Sequence, residues 1–267
     1  MFNIESLNLD PLEISRLIEA FISEEVRNSN LTGAIIAVSG GIDSALTLSL
    51  MAKALGPERV RAITMPERDV TPESDITDVM RLTGLYDVTC DVVEITPTLE
   101  ALSGSLPLYA PSDKLSTGNL KPRVRMIVSY HYANALNMMV MGSSNKTELL
   151  TGYFTKYGDG GVDLMPLGDL YKCQVRQLAR HMSVPQEIID KTPTAGLWPG
   201  QSDEGEMGAS YDDIDLIVWG YGKGFSAQEI ASGIGSDLSL VEGILARVER
   251  NEHKRRLPLL LRISSLT

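Results

Sequence analysis

A glycine-rich hexapeptide and two acidic side chains carry the chemistry that this sequence can do. Residues 34–44 read Ala34-Ile35-Ile36-Ala37-Val38-Ser39-Gly40-Gly41-Ile42-Asp43-Ser44. The apolar run Ile35, Ile36 and Val38 predicts a buried strand that stops at Ser39-Gly40-Gly41. Asp43-Ser44 then opens a helical pattern through Ala45, Leu46, Leu48, Leu50, Met51 and Leu55. Strand, glycine turn and helix N-terminus make an anion cradle, because glycine lets N–H groups approach phosphate oxygens and the helix dipole favours negative charge. No Gly-Lys-Ser/Thr follows, so this is not a Walker A loop, and no G-x-G-x-x-G stands at the turn. Ser39, Gly40, Gly41 and Ser44 offer N–H and hydroxyl donors to a pyrophosphate. Asp43 and Glu148, each after a predicted strand end, are hard oxygen ligands suited to Mg²⁺ over phosphates. The plainer roles are a helix N-cap for Asp43 and a dipole-favoured carboxylate for Glu148.

The elements that must position these groups alternate. Asp10 caps a helix to about residue 28, with Pro11 in its first turn, Glu13 reaching back and a stripe at Ile14, Leu17, Ile18, Phe21 and Ile22. A second strand is expected at Val60–Thr64, and a helix from Thr71 to Thr83 capped by Thr71 with Pro72 behind it. A third strand spans Tyr86 to Ile95, a short helix 96–103, a loop 107–119, a helix 123–135 and a fourth strand 138–142. Such alternation implies an α/β fold: a doubly wound, mainly parallel sheet flanked by helices, with phosphate ligands at the strands' carboxyl ends. A single domain over 1–267 is expected, its nucleotide-binding core about 30–170. From about 171 strands stop, and helices are predicted at 172–182, 185–191, 210–221, 226–233 and 238–250. The aperiodic, glycine-rich stretch 193–209 reads as a mobile lid.

The 267 residues, 43% of them hydrophobic, can build a substantial core, and the net charge of −11 argues against a nucleic-acid surface. No apolar run reaches membrane-spanning length and no signal peptide is visible, so a cytoplasmic protein is expected. Cys90 and Cys173 form no CxxC pair, and His131, His181 and His253 are scattered, which gives no support to a zinc cluster. Both cysteines read as structural thiols, since neither has the glycine elbow of a glutaminase nucleophile.

Ser-Gly-Gly-Ile-Asp-Ser resembles the pyrophosphatase loop of the N-type ATP pyrophosphatases. Four further segments resemble the synthetase domain of the NAD synthetases: Gly142–Glu148, Thr151–Lys172, Lys191–Glu204 and His253–Arg255. Phe-Thr-Lys-Tyr-Gly-Asp-Gly-Gly and Leu-Trp-Pro-Gly-Gln-Ser-Asp-Glu are long and chemically odd. The resemblance covers roughly residues 10 to 258 and implies an adenine nucleotide alpha hydrolase-like fold. It also implies conversion of deamido-NAD to NAD: the nicotinate carboxylate attacks the α-phosphate of ATP, pyrophosphate leaves, ammonia attacks the adenylated carbonyl and AMP departs.

By the same resemblance Ala37, Val38, Ser39, Gly40, Gly41, Ile42, Asp43 and Ser44 bind ATP together with Ser143, Lys172 and Thr194. Arg123, Lys156 and Asp163 bind deamido-NAD, with Arg125 the fallback because Pro122 stands where the family has a small residue. His253 and Lys254 bind deamido-NAD from a partner subunit, so a homodimer is implied. Asp43, Lys172 and Asp163 are the expected catalytic side chains, and Asp43 with Glu148 the Mg²⁺ ligands. Met65 and Arg68, leaving the second strand, are weaker candidates for adenine and phosphate. The chain has no room for a glutaminase domain, which makes free ammonia the nitrogen source. Another ATP pyrophosphatase, such as a GMP synthetase subunit, would share residues 39–44 but not Tyr153–Asp163. A regulatory module that only binds ATP would need no pair of carboxylates.

Overall fold

The computed structural model describes residues 2–261. Its elements run α1 (Pro11–Asn28), β1 (Gly33–Ala37), α2 (Ile42–Leu55), β2 (Val60–Thr64), α3 (Glu73–Leu85), β3 (Thr89–Val92), α4 (Thr96–Ser105), α5 (Lys114–Gly118), α6 (Leu120–Leu136), β4 (Met138–Met141) and α7 (Lys146–Thr151). The rest is helical: α8 (Lys172–His181), α9 (Gln186–Ile189), α10 (Asp203–Met207), α11 (Tyr211–Gly222), α12 (Ala227–Ile234), α13 (Leu238–Arg250) and α14 (Glu252–Arg255). The end of the expected helical part, past 261, lies outside the described residues.

The four strands are parallel, in the order β3-β2-β1-β4. The chain steps outward from β1 to β3, then crosses back to set β4 on the other side of β1. That reversal opens a crevice beyond the carboxyl ends of β1 and β4, where open parallel sheets bind ligands. Both faces are covered, as parallel strands require. Alternate side chains divide between them: Ala34 and Ile36 join Ile22, Leu46, Leu50 and Leu178 from α1, α2 and α8. Ile35, Ile63 and Val140 face Val124 and Ala133 of α6. A separate apolar cluster centres on Tyr211, Ile214, Ile217, Ile230, Val241 and Ile244 of α11–α13.

Asp10 caps α1 through its side chain, which accepts from Leu12 N and Glu13 N, but among the described residues Glu13 makes no return bond. Four boundaries differ from expectation. Thr71 does not cap α3: its hydroxyl instead accepts from Glu67 N at 3.0 Å, closing a turn, and the helix starts at Glu73. The third strand is only Thr89–Val92, because Asp87 takes a left-handed conformation (φ 53°) and the chain beyond Val92 bonds the loop after β2 through Ile95 N and Pro66 O. The 107–119 loop contains α5, capped by Asp113 accepting from Ser116 N. The aperiodic 193–209 stretch contains α10. No described helix is long and apolar enough to cross a membrane.

Candidate active site

The cradle forms where β1 runs into α2. Val38 N still donates to Ile63 O, extending the ladder one residue past the strand. Val38 and Ile42 are buried and Ala37 half-buried, so these three shape the loop by packing. The serines fold the loop between them. Ser44 Oγ accepts from Ser39 N at 3.2 Å and donates to Gly41 O at 3.0 Å, while Gly41 N donates to Ser39 Oγ at 3.3 Å. Gly41 is the N-cap of α2 and makes no side-chain cap, which leaves the first-turn N–H groups of that helix for an external acceptor.

Glu148 reaches the same point from the neighbouring strand. After β4, Asn145 caps α7 in a capping box: its side chain accepts from Glu148 N and the Glu148 carboxylate accepts from Asn145 N. Asn145 also donates to Asp43 Oδ1 at 2.9 Å, joining the two loops across the topological switch. Between the carboxylates lies Lys172, the first residue of α8. Its Nζ is 2.5 Å from Asp43 Oδ2 and 3.3 Å from Glu148 Oε1, with the Tyr211 ring 4.8 Å below. Lys172 is 2% exposed, so it is an interior cation rather than the usual surface lysine. Burial first, then the charge of Asp43, pushes Glu148 up to about 8. Burial works against the charge of Lys172, yet the two carboxylates hold its ammonium above the ordinary lysine range. The arrangement presents donors to an anion beside two half-buried carboxylates already bridged by a buried ammonium.

The remaining ATP candidates flank this cluster. Ser143 is half-buried just after Gly142, where a Cβ would come within 2.6 Å of Val162 Cγ2. Exposed Thr194 accepts from Gly196 N and closely follows Lys191, whose Nζ lies 3.1 Å from Gly40 O. Met65, the weaker adenine candidate, is buried in the core, and Arg68, the weaker phosphate candidate, pairs with Glu94 at 2.9 Å.

The dinucleotide candidates form a second group. Asp163 runs beside β4, accepting from Tyr130 Oη at 2.8 Å and Val140 N at 2.8 Å; it contacts neither Asp43 nor Lys172. Arg123, exposed on α6, bonds Lys156 O at 3.4 Å, and Lys156 Nζ bonds His253 O at 2.6 Å. Lys254 Nζ donates to Gly152 O and Phe154 O. Arg123, Lys156, His253 and Lys254 thus make one basic patch within a single chain. Arg125, the fallback, is half-buried, its Nε donating to Met65 O at 3.1 Å.

Three positioning side chains escaped the sequence reading. Asn145 was signalled by its N-cap spacing to Glu148. Buried Asp215 accepts from Thr147 Oγ1 and Cys173 N, tying α7 and the start of α8 to α11; a lone acid within Ile-Asp-Leu-Ile-Val was its signal. Tyr130 had none beyond a helical position. Cys90 and Cys173 are free thiols, both pushed upward by burial.

A family model described as NAD synthase matches residues 14–258. The NH(3)-dependent NAD(+) synthetase of Methanosarcina acetivorans is 44% identical over 244 residues, 91% of this chain and 95% of that protein. Among solved structures, an NMN synthetase from Francisella tularensis superposes with a TM-score of 0.84 at 34% identity, over 95% of this chain and 99% of the other. An NH3-dependent NAD synthetase from Campylobacter jejuni does so at 0.80 and 30%, over 95% and 100%. With the family model matching residues 14–258 and the fold shared over nearly the whole chain, the chain belongs to the NAD synthase family.

Proposed function

We propose that this chain is an ammonia-dependent NAD synthetase, which amidates deamido-NAD with ATP and releases AMP and pyrophosphate. The observation that carries the reading is the Asp43–Lys172–Glu148 cluster at the N-terminus of α2, a buried lysine between two half-buried carboxylates beside the Ser-Gly-Gly loop. In the first step a nicotinate carboxylate oxygen attacks the α-phosphorus of ATP and the bond to pyrophosphate breaks. Ser39, Ser44 and the N–H groups of Gly40 and Gly41 hold the leaving group, and Lys172 offsets its growing charge. In the second step ammonia attacks the carbonyl carbon, AMP leaves and the surplus protons pass to solvent. Catalysis here is mainly placement of two anions in line.

Asp43 and Glu148 are the residues that would hold Mg²⁺. Lys172 Nζ occupies the point where the two carboxylates converge, so the ion would sit beside that ammonium, take one or two carboxylate oxygens and complete its shell with phosphate and water. When bound, the ion supplies neutralisation of phosphate charge. Ser143 and Thr194 add hydroxyls to ATP, and the 193–209 stretch closes over it as a lid. Arg123, Lys156, Asp163, His253 and Lys254 orient deamido-NAD; because His253 and Lys254 are tied to Lys156, Gly152 and Phe154 of their own chain, their service to a partner subunit requires the whole patch to face the interface of a homodimer. Free thiols suit a cytoplasmic setting.

The test is a product assay on the purified chain with ATP, Mg²⁺, deamido-NAD and ammonium. AMP, pyrophosphate and NAD should appear in equal amounts, and ADP would overturn the reading. Nicotinate mononucleotide is offered in competition because the Francisella relative is described as an NMN synthetase. Deamido-NAD should win, since the basic patch gives a second nucleotide something to bind. Glutamine in place of ammonium should yield no NAD.

A further inference from the structure

Lys191 has no part in the steps above, yet its ammonium is fully engaged beneath the phosphate loop. Nζ donates to Gly40 O at 3.1 Å, Asp75 Oδ1 at 2.8 Å and Asp78 Oδ2 at 2.7 Å. An ammonium has three donors, so none remains for a phosphate. Both aspartates belong to α3, and the loop rests on that helix: a Cβ on Gly40 would sit 3.0 Å from Asp75 O. Gly40 has φ +81°, a conformation open to glycine but costly for most other residues.

A trans peptide points its C=O and N–H in opposite directions. With Gly40 O held toward Lys191, the N–H of Gly41 must point the other way, and it does, donating to Ser39 Oγ on the serine side of the cradle. We propose that Lys191 is a positioning residue that locks the Gly40–Gly41 peptide so that Gly41 N–H stays on the serine side of the cradle, where it donates to Ser39 Oγ and where the pyrophosphate would leave. The inference rests on the pyrophosphate-releasing reading above. Lys191 also stands at the base of the stretch leading to α10, which Asp203 N closes by donating to Pro193 O at 3.2 Å. Loop and lid base therefore share one pin.

Lys191→Met frees the peptide to turn. It should raise KM for ATP about tenfold and weaken product inhibition by pyrophosphate as much, one charge-assisted hydrogen bond being worth roughly that factor. KM for deamido-NAD should stay within about twofold. Lys191→Arg, which keeps the charge and donors, should recover part of the loss. A purely structural role would lower the melting temperature and move both KM values alike, which would overturn the proposal, as would unchanged ATP and pyrophosphate behaviour. Asp75→Asn gives a check by sign. If Lys191 works by anchoring, weakening the anchor raises KM for ATP; if it touches phosphate directly, freeing it lowers KM, and the positioning role falls. Should the wild type make no AMP from ATP and deamido-NAD, the function reading fails by itself. Calorimetric pyrophosphate binding to wild type and Lys191→Met still decides the role of the lysine.

Discussion

The phosphate cradle and the basic patch handle charge by opposite means. In the cradle, Lys172 is buried between two carboxylates and every partner sits at the start of a helix, where the backbone is fixed. In the patch, Arg123 and His253 are exposed, and the cations are tied to carbonyl oxygens of loops and of α14. Interior charges interact strongly and are little screened, whereas exposed ones are weakened by water and salt. On the proposed function, the difference separates chemistry from recognition. Changes in the cradle should strike kcat and folding; changes in the patch should strike KM and its dependence on salt.

The largest effect is expected from Asp43→Asn. It removes one of the two carboxylates while Asn145 and the helix start remain to hold the loop. NAD formation should fall on the order of 10³-fold, the scale seen when a group that stabilises developing charge is lost, with the circular dichroism spectrum unchanged. If the variant turned over normally and only KM for deamido-NAD rose, the cradle would be a recognition surface and the contrast would collapse.

Lys172→Met tests the cradle's other face. Leaving Asp43 and Glu148 together without their cation should cost about 3–5 kcal/mol of stability in a urea titration. The penalty should shrink as pH falls below the folded value of Glu148, about 8, where a proton can replace the cation. In the wild type the Glu148 carboxyl keeps its proton to about 8 when folded, against an ordinary value of 4.5. Between those values the folded state binds more protons, so its share of stability is present below 4.5 and lost as pH rises toward 8. Stability should therefore decline across that window, and Glu148→Gln should flatten the decline. A rise with pH would mean that Lys172 already keeps Glu148 ionised.

The same contrast explains what could be read from sequence. The cradle was legible because its parts are local: a buried strand, Gly-Gly and a helix start are contiguous in residues 34–55, and the hexapeptide is a chemical unit. That Asp43 and Glu148 could meet followed from each standing after a strand end; that β1 and β4 are neighbours, which lets them meet, did not. That Lys172 would fill the space between them did not, because an ammonium inside the core depends on two distant loops and on α11 at once. Boundaries failed where a side chain had two uses. Thr71 could cap a helix or close a turn, and local spacing does not rank those options. Met65 was read by its place at a strand exit, and its burial in one cluster with Ile63, Ile95 and Val140 was not visible there.

The patch supplies the smaller effects. Arg123→Ala should raise KM for deamido-NAD about tenfold and leave KM for ATP nearly unchanged, as expected for one charge-assisted contact. Arg125→Ala should instead cost stability, since that guanidinium is committed to Met65 O. Lys254→Ala should move KM for deamido-NAD by only a few-fold, because part of its bonding goes to Gly152 and Phe154 carbonyls whatever the ligand. Salt sharpens the point. Raising ionic strength should increase KM for deamido-NAD in the wild type, and Lys254→Ala should weaken that dependence. KM for ATP should respond less, because Lys172 lies too deep for ions to screen it. Equal salt responses for the two substrates would show that ATP first meets the protein at its surface, and that the cradle's dryness follows binding instead of preceding it.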